Sequence, residues 1–253
     1  MHTGFVIIVK SPREIGQIRK ANTIVAEILQ NLRKLVAPGV ITRELERVAD
    51  EIILAKGAVS AFKGYRGFPG SICISINEEV VHGIAGNRRL KEGDIVSLDV
   101  GVKLNGYFGD AAITVPVGEV DPASRRLLEV TEKALTIGIK KAKAGNRLFD
   151  ISHAIQVWVE ENEFSVVRDF VGHGIGRDLH EDPQIPNFGS PHQGPRLEKG
   201  MVLALEPMVN EGTHQVRILD DGWTVVTTDG KRSAHFEHTI VITEGDAEIL
   251  TQL

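Results

Sequence analysis

One stretch of this 253-residue chain, residues 98–110, constrains its fold more than any other, because it puts two carboxylates into an apolar hairpin. Residues 95–104 are rich in apolar and β-branched side chains, which favour a strand. Asn105-Gly106 follows, and this dipeptide is the one best suited to a two-residue type I′ turn. The stretch therefore predicts two long antiparallel strands joined by a tight turn.

The turn also fixes which residues face each other across the hairpin. If Asn105 and Gly106 are the two turn residues, Asp110 lies opposite Gly101. Side chains alternate between faces with a period of two, so Asp99 and Asp110 share a face as diagonal neighbours. Two carboxylates this close in an apolar setting are costly unless a cation lies between them. The hairpin therefore predicts a cation site.

An internal repeat divides the chain into two similar halves. LKEGDIVSLD at residues 90–99 aligns with LEKGMVLALE at residues 197–206, with glycine on glycine and acid on acid. A His-Gly-Ile tripeptide precedes each copy, at residues 82–84 and 173–175. Two helices are also predicted ahead of each copy, so we expect an α+β fold of two pseudo-symmetric αα-β halves around a shared sheet. Asp99 and the equivalent acid of the second half would approach each other from opposite sides.

Capping signals mark where the predicted helices begin. Ser11-Pro12 predicts the start of the first helix, and Thr42 is expected to cap the second. Asp121-Pro122 predicts the third, and a fourth is expected over residues 150–162.

The acids that end apolar segments point to metal binding. Asp99, Glu206 and Glu237 each end such a segment, and Asp110 follows closely after the first of them. Several buried carboxylates without counter-charge are too unfavourable to recur by accident. His173 lies between two glycines, and an imidazole among carboxylates favours a transition-metal pair over calcium or magnesium.

The remaining candidates are sorted by their sequence context. His82 and His180 each follow a motif rather than lying in an acid cluster, so they are interpreted as neutral donors or proton carriers near the metals. His235 would share a strand face with Glu237 and could support the ligands. Cys73 lies in an apolar strand and is interpreted as a core residue rather than a nucleophile.

Composition excludes several classes of protein. A net charge of −5 argues against a nucleic acid as the substrate. No apolar run reaches the roughly 20 residues that a membrane span needs. Residues 1–10 lack the basic region of a signal peptide, and a single cysteine cannot form an intrachain disulfide. We therefore expect a cytoplasmic protein.

Taken together, these motifs resemble those of the bacterial, type I methionine aminopeptidases, within the pita-bread metallohydrolases that also include the prolidases. The resemblance covers nearly the whole chain as one catalytic domain, residues 1–253. It is carried by GYRGFP at 64–69, SICISINEEVVHGI at 71–84, Asp99 with Asp110, GHGIG at 172–176, LEPM at 205–208 and FEHT at 236–239.

The resemblance implies a site and a reaction. The five ligands would be Asp99, Asp110, His173, Glu206 and Glu237, holding two divalent ions such as Fe(II), Co(II), Mn(II) or Zn(II), with Asp110 and Glu237 contacting both. A water between the ions would attack the first peptide bond, with Glu206 as proton shuttle and His82 and His180 contacting the substrate. The methionine side chain would enter a pocket of Tyr65, Phe68, Cys73 and Trp223, closed by Leu179.

The expected substrates are N-termini of nascent polypeptides whose second residue is small, with the ribosome a candidate partner and the monomer the expected state. Three positions depart from the family pattern: Ala85 replaces a common proline, Leu179 a bulkier aromatic, and His235 a frequent neutral amide. Two alternatives stay open. One is an Xaa-Pro peptidase of the same fold, and the other is a pita-bread protein that only binds.

Overall fold

The computed structural model of the chain describes residues 7–252. Most of the segment behind the signal-peptide argument, residues 1–6, lies outside this range. Within the range, no helix is both long enough and apolar enough to span a bilayer. The α-helices are α1 Pro12–Leu35, α2 Thr42–Ala55, α3 Pro122–Lys141 and α4 Leu148–Glu161.

The described residues also contain fifteen strands, five after α2 and ten after α4. The first half has β1 Val59–Ser60, β2 Cys73–Ile76, β3 Glu79–Val81, β4 Ile95–Leu104 and β5 Tyr107–Pro116, with a 3-10 turn at Tyr65–Gly67. The second half has β6 Ser165–Val166, β7 Gly172–Gly174, β8 Glu181–Ile185, β9 Val202–Leu205, β10 Met208–Asn210, β11 Val216–Ile218, β12 Val225–Thr227, β13 Ser233–His235, β14 His238–Val241 and β15 Glu248–Ile249.

The predicted hairpin is confirmed in both turn and register. Asn105 and Gly106 have φ angles of 51° and 82°, the two positive values that a type I′ turn requires. β4 and β5 pair antiparallel with Asp110 opposite Gly101 and Asp99 opposite Ala112. The two carboxylates are therefore diagonal neighbours on one face.

Two of the four predicted helix starts hold to the residue, and the fourth helix begins two residues earlier than predicted, at Leu148. Ser11 and Glu14 form a reciprocal capping box at α1, and the Asp121 side chain accepts a hydrogen bond from the Ser124 amide at α3. The prediction that Thr42 caps α2 was wrong. Its hydroxyl is taken up by the Gly86 backbone, donating to the carbonyl and accepting from the amide, so it lies inside the helix and Ile41 is the N-cap.

The two halves repeat each other in detail. In the first half the Gly39 amide donates to the Leu90 carbonyl at 2.7 Å, and in the second the Gly145 amide donates to the Leu197 carbonyl at 2.9 Å. Three residues after each of these leucines comes a glycine in the left-handed region, Gly93 with φ of 86° and Gly200 with φ of 91°. The sequence repeat is thus a structural repeat.

Two short breaks separate the strands of the second half into different sheets. β9 and β14 pair in one sheet with β7, whereas β10 and β13 pair in another. The breaks fall at Glu206-Pro207 and Phe236-Glu237. The apolar and β-branched pattern of residues 235–242 favours one continuous strand, but the structure has two strands there, β13 and β14. The Glu237 amide instead donates to the Ala112 carbonyl of β5, so the chain passes from one sheet to the other there.

Helices cover one side of the strands and bury two main apolar clusters. α1 and α2 pack with β2, β4 and β5 around Val25, Ile28 and Leu98, all fully buried. α3 and α4 pack with the second-half strands around Leu127, Ile151 and others. The uncovered side of the strands is where the acids and histidines collect.

Candidate active site and metal centre

A cavity of about 370 Å³ lies at the meeting of the two halves and contains every predicted site residue. The predicted ligands that line it are Asp99, Asp110, His173, Glu206 and Glu237. The other predicted residues that line it are Tyr65, Phe68, Cys73, His82, Leu179, His180 and Trp223. The structure therefore brings together side chains that are spread over 172 positions, from residue 65 to residue 237.

Acidic and imidazole groups converge at the base of this cavity. One ligand atom each from Asp110, His173 and Glu237 lies within 4.8 Å of the others, and all three residues are buried. The Nε2 atom of His173 is 3.5 Å from Oε1 of Glu206 and 4.0 Å from Oδ2 of Asp110. Among residues 7–252 this is the only such His/Cys/Asp/Glu group with metal-binding spacing.

Several buried oxygens at this point have no hydrogen-bond partner. Oδ1 of Asp99, Oδ1 of Asp110 and Oε1 of Glu237 are all unpartnered in the described structure. Buried carboxylate oxygens are normally satisfied by donors, and an unsatisfied one is costly. Divalent cations would satisfy all three at once, so the donor set fits a metal centre of oxygen ligands and one imidazole.

Burial and mutual repulsion disfavour ionisation of these acids in the absence of a cation. Burial raises the pKa of Asp99 to about 7. Burial and the neighbouring carboxylates also raise the pKa of Asp110, Glu206 and Glu237 well above their usual values. Burial lowers the pKa of His173 to about 4, so its imidazole is neutral and able to bind a metal at neutral pH.

Neighbouring elements hold the ligands in place. The Asp110 amide donates to Oδ1 of the fully buried Asn22 at 3.2 Å, and the Thr239 hydroxyl donates to the Asp110 carbonyl at 2.7 Å. The closeness of α1 here requires Gly109, because a Cβ would lie 2.7 Å from the Asn22 backbone nitrogen. His173 directs Nε2 at the acids because its Nδ1 is 2.9 Å from the Gly174 carbonyl.

Two further histidines lie at the sides of the cavity. His82 has a φ of 60°, uncommon for a residue with a side chain, and its ring meets the edge of Phe170 with centroids 5.4 Å apart. His180 lies at the mouth, stacked on Tyr65 and tilted against His173. Burial lowers the pKa of both, and for His180 the nearby His173 adds to the effect, so both are neutral donors or acceptors near pH 7.

An apolar pocket adjoins the acids. Phe68 and Trp223 meet edge to face with ring centroids 5.2 Å apart, and Cys73 and Leu179 are almost fully buried beside them. Burial, with Asp99 adding to it, raises the pKa of the Cys73 thiol well above its usual value, so it stays protonated and unreactive. The pocket suits a flexible apolar side chain such as a thioether.

The three departures from the family pattern fall in different places. Leu179 lines the cavity, whereas Ala85 packs against the core of the first half. His235 is buried, with its Nε2 unpartnered and 4.0 Å from Oε2 of Glu206. It therefore lies beside a predicted ligand, but this ligand is Glu206 and not Glu237, because the strand breaks between His235 and His238.

Several cavity residues were missed from the sequence. Arg66, Asp169, Phe170 and Gln184 also line the cavity. Phe170 comes directly before the Val171-Gly172-His173 motif and was a recognisable candidate. Asn22 had a signal of its own, as a polar residue on the apolar face of α1.

A larger cavity of about 630 Å³ lies between α1 and α3 and carries no comparable chemistry. Its charged side chains are two cations and two anions, Arg33, Lys140, Glu132 and Asp246. Its one histidine, His238, is bonded through Nδ1 to the Thr251 hydroxyl at 2.7 Å. The smaller cavity is therefore the candidate active site.

Sequence comparison places residues 16–244 in metallopeptidase family M24. The chain is 58% identical to methionine aminopeptidase 1 of Bacillus subtilis, over 98% of this chain and 100% of the relative. It is 55% identical to the methionine aminopeptidase of Clostridium perfringens, over 97% of this chain and 99% of the relative.

Solved structures agree with this. The methionine aminopeptidase of Thermotoga maritima superimposes with a TM-score of 0.97 at 51% identity, over 98% of this chain and 100% of that one. The prolidase of Pyrococcus furiosus shares the fold alone. It is 24% identical, with a TM-score of 0.79 over 97% of this chain and 66% of that one. The predicted α+β pita-bread fold is confirmed.

Proposed function

The chain belongs to metallopeptidase family M24, on its methionine aminopeptidase branch, and from this premise we propose that it removes the initiator methionine from nascent polypeptides whose second residue is small. The observation that carries the proposal is the set of unpartnered buried carboxylates beside an aromatic, thioether-sized pocket. The acids provide the metal centre, and the pocket selects the first side chain.

Two divalent ions, drawn from Fe(II), Co(II), Mn(II) and Zn(II), would be held by Asp99, Asp110, His173, Glu206 and Glu237. When bound, the ions supply a water of lowered pKa as nucleophile and polarise the carbonyl of the first peptide bond. The choice among these metals depends on geometry and availability as much as on ligand type.

The protein's own groups do the rest. Glu206, whose pKa is raised and whose side chain is 14% exposed to the cavity, accepts a proton on a carboxylate oxygen and passes it to the departing amine. His180 shares its Nδ1 with the Tyr65 hydroxyl at 2.9 Å, which leaves Nε2 to hydrogen-bond the substrate. Neutral His82, which lines the same cavity, donates a hydrogen bond to the substrate.

The pocket would hold the methionine side chain. Tyr65, Phe68, Cys73, Leu179 and Trp223 surround a space with thioether and aromatic surfaces, which attract each other. We also propose that residues 1–253 act as a single-domain monomer in the cytoplasm on nascent N-termini, with the ribosome as a candidate partner.

A peptide assay tests the proposal. Metal-depleted protein is given Fe(II), Co(II), Mn(II) or Zn(II) and incubated with Met-Ala-Ser and Met-Leu-Ser, and free methionine is measured by mass spectrometry. Release from Met-Ala-Ser and little release from Met-Leu-Ser are expected, and Asp110→Asn should release methionine at least about 100-fold more slowly. Asp246→Asn, at an exposed residue outside the active-site cavity, is the matched control. No release with any metal would reject the proposal. A third peptide, Met-Pro-Ser, tests the alternative, because cleavage of this peptide alone would favour an Xaa-Pro peptidase.

A further inference from the structure

A buried ion pair links the N-terminal segment to the loop that carries His180. Lys10 and Glu181 are joined through Nζ and Oε2, with side-chain exposures of only 3% and 6%. Among the lysine and arginine ion pairs of residues 7–252, it is the one whose two side chains are both this deeply buried. The predicted mechanism assigns neither residue a role.

Glu181 directly follows a loop and forms hydrogen bonds to the backbone of that loop. Its Oε1 accepts hydrogen bonds from the Arg177 amide at 2.7 Å and the Asp178 amide at 3.3 Å. The loop, residues 176–180, runs from β7 to β8, and its last two residues are Leu179 and His180. The carboxylate of Glu181 therefore closes the turn that displays His180 at the cavity mouth.

Lys10 is itself fixed at both ends. Its backbone amide donates to the Gly200 carbonyl at 2.8 Å, next to the start of β9. Its aliphatic stem passes over Gly176, where a Cβ would lie 2.6 Å from Lys10 Cε and 2.8 Å from Glu181 Oε1. The backbone bond and the packed stem therefore hold the Lys10 ammonium against the Glu181 carboxylate.

A second link between the same segments is weaker. Arg177 Nε is 3.4 Å from Oε1 of Glu14 in the first turn of α1, but the arginine side chain is 66% exposed. An exposed pair of this kind contributes little, because solvent screens it. The buried pair is therefore the main connection.

Packing alone does not require charges at this position. A buried ion pair is often no more stabilising than apolar residues of similar volume, because both charges lose their hydration. What the pair adds is a fixed orientation of the Glu181 carboxylate, since this group is held by a cation and two backbone amides at once. Because the Glu181 side chain is fixed in this way, the position of His180, the residue immediately before it, is fixed as well.

We propose that Lys10, acting through Glu181, is a positioning residue that holds loop 176–180 so that His180 presents Nε2 to the substrate. This rests on the proposed function, because His180 is assigned its contact there. Removing the ammonium loosens the loop and weakens the contact that His180 makes during the reaction, while the metal ligands stay in place.

The proposal is tested by measuring the kinetic effect of one Lys10 substitution in two proteins, one with His180 and one with His180→Ala. In the full-length, metal-loaded protein, Lys10→Met is expected to lower kcat for Met-Ala-Ser about tenfold and to change KM less than about threefold. In a His180→Ala background the same substitution is expected to change kcat less than about twofold. Lys199→Met is the matched control, since Lys199 forms an exposed pair with Glu244, and it should leave both constants unchanged.

A measurement independent of activity separates this proposal from the proposed function. Hydrogen exchange of the amides of residues 176–181 should be about tenfold faster in Lys10→Met and in Glu181→Gln, with α3 unchanged. Unchanged exchange in the loop would overturn the proposal even if the enzyme releases methionine. An equal loss of kcat with and without His180 would overturn it too, because it would show general damage rather than positioning.

Discussion

The Tyr65 hydroxyl lies 2.9 Å from Nδ1 of His180, and the two rings stack with centroids 5.3 Å apart. One tyrosine thus fixes both the ring plane and the available nitrogen of a histidine at the cavity mouth. The pair comes from positions 115 residues apart in the chain.

Removing only the Tyr65 hydroxyl should weaken catalysis without disturbing the pocket. A neutral hydrogen bond of this kind contributes roughly 0.5–1.5 kcal/mol, so Tyr65→Phe is expected to lower kcat/KM for methionine release about 2–10-fold. Steady-state assays on Met-Ala-Ser measure the effect. Tyr107→Phe is the matched control, because the Tyr107 hydroxyl reaches only Glu14, at 3.5 Å, and should retain full activity.

Metal-free protein should lose stability as the pH rises. The pKa of Asp99 is raised to about 7, and those of Asp110, Glu206 and Glu237 are raised as well. Between about pH 4, the unfolded pKa, and pH 7 or above, these four acids therefore bind more protons in the folded state than in the unfolded state. Stability from this source is complete below the unfolded pKa and is lost as the pH passes the folded values.

Thermal unfolding in chelator checks this sign. Tm is expected to fall from pH 7 to pH 9. Below this range the buried histidines, whose pKa values are lowered, protonate only in the unfolded state and oppose the effect. Added metal should remove most of the fall by binding the folded state. A Tm that is flat over this range in chelator would contradict the burial of these acids.

Asp110→Asn should have opposite effects on activity and on metal-free stability. Amide for carboxylate removes a ligand, so methionine release is expected to fall about 100-fold or more. The same change removes one of several repelling buried charges, so Tm in chelator at pH 8 should rise or stay level. A lower Tm would indicate that Asp110 has a structural partner rather than a cation.

Two helical glycines should respond in opposite directions to alanine. Around Gly16 in α1 a Cβ meets nothing within 4 Å, so Gly16→Ala should stabilise by roughly 0.5–1 kcal/mol. At Gly138 in α3 a Cβ would lie 2.8 Å from Cδ1 of the buried Ile155 on α4. Gly138→Ala should therefore destabilise, by about 1–3 kcal/mol before its gain in helix propensity. Urea unfolding of both variants measures the difference, and equal shifts would contradict the close helix contact.

Local chemistry explains which features were predictable. Asn105-Gly106 determines its own turn, and the turn determines that Asp99 and Asp110 share a face, so this part of the site follows from a short stretch of sequence. The resemblance supplied the ligand roles, which stay a prediction. The structure shows the proximity of the side chains.

Other features depend on distant partners and could not be predicted. The break at Phe236-Glu237 lies within a pattern that continues as a strand on both sides, and the Glu237 amide there bonds to the Ala112 carbonyl of the other half. The Lys10–Glu181 pair joins residues 171 positions apart, with nothing local to mark either one. Thr42 looked like a cap because its competing partner, Gly86, is 44 residues away.

The two halves contain equivalent backbone hydrogen bonds, from Gly39 to Leu90 and from Gly145 to Leu197. This equivalence suggests how such a protein could arise. Each half ends its repeat with an acid, Asp99 or Glu206, and both acids line the one cavity between the halves. Two identical half-length chains joined about a true two-fold axis would already bring two equal carboxylates together around a cation. Gene duplication and fusion would then let the two copies diverge, so that an ion-binding dimer became an asymmetric catalyst within a single chain.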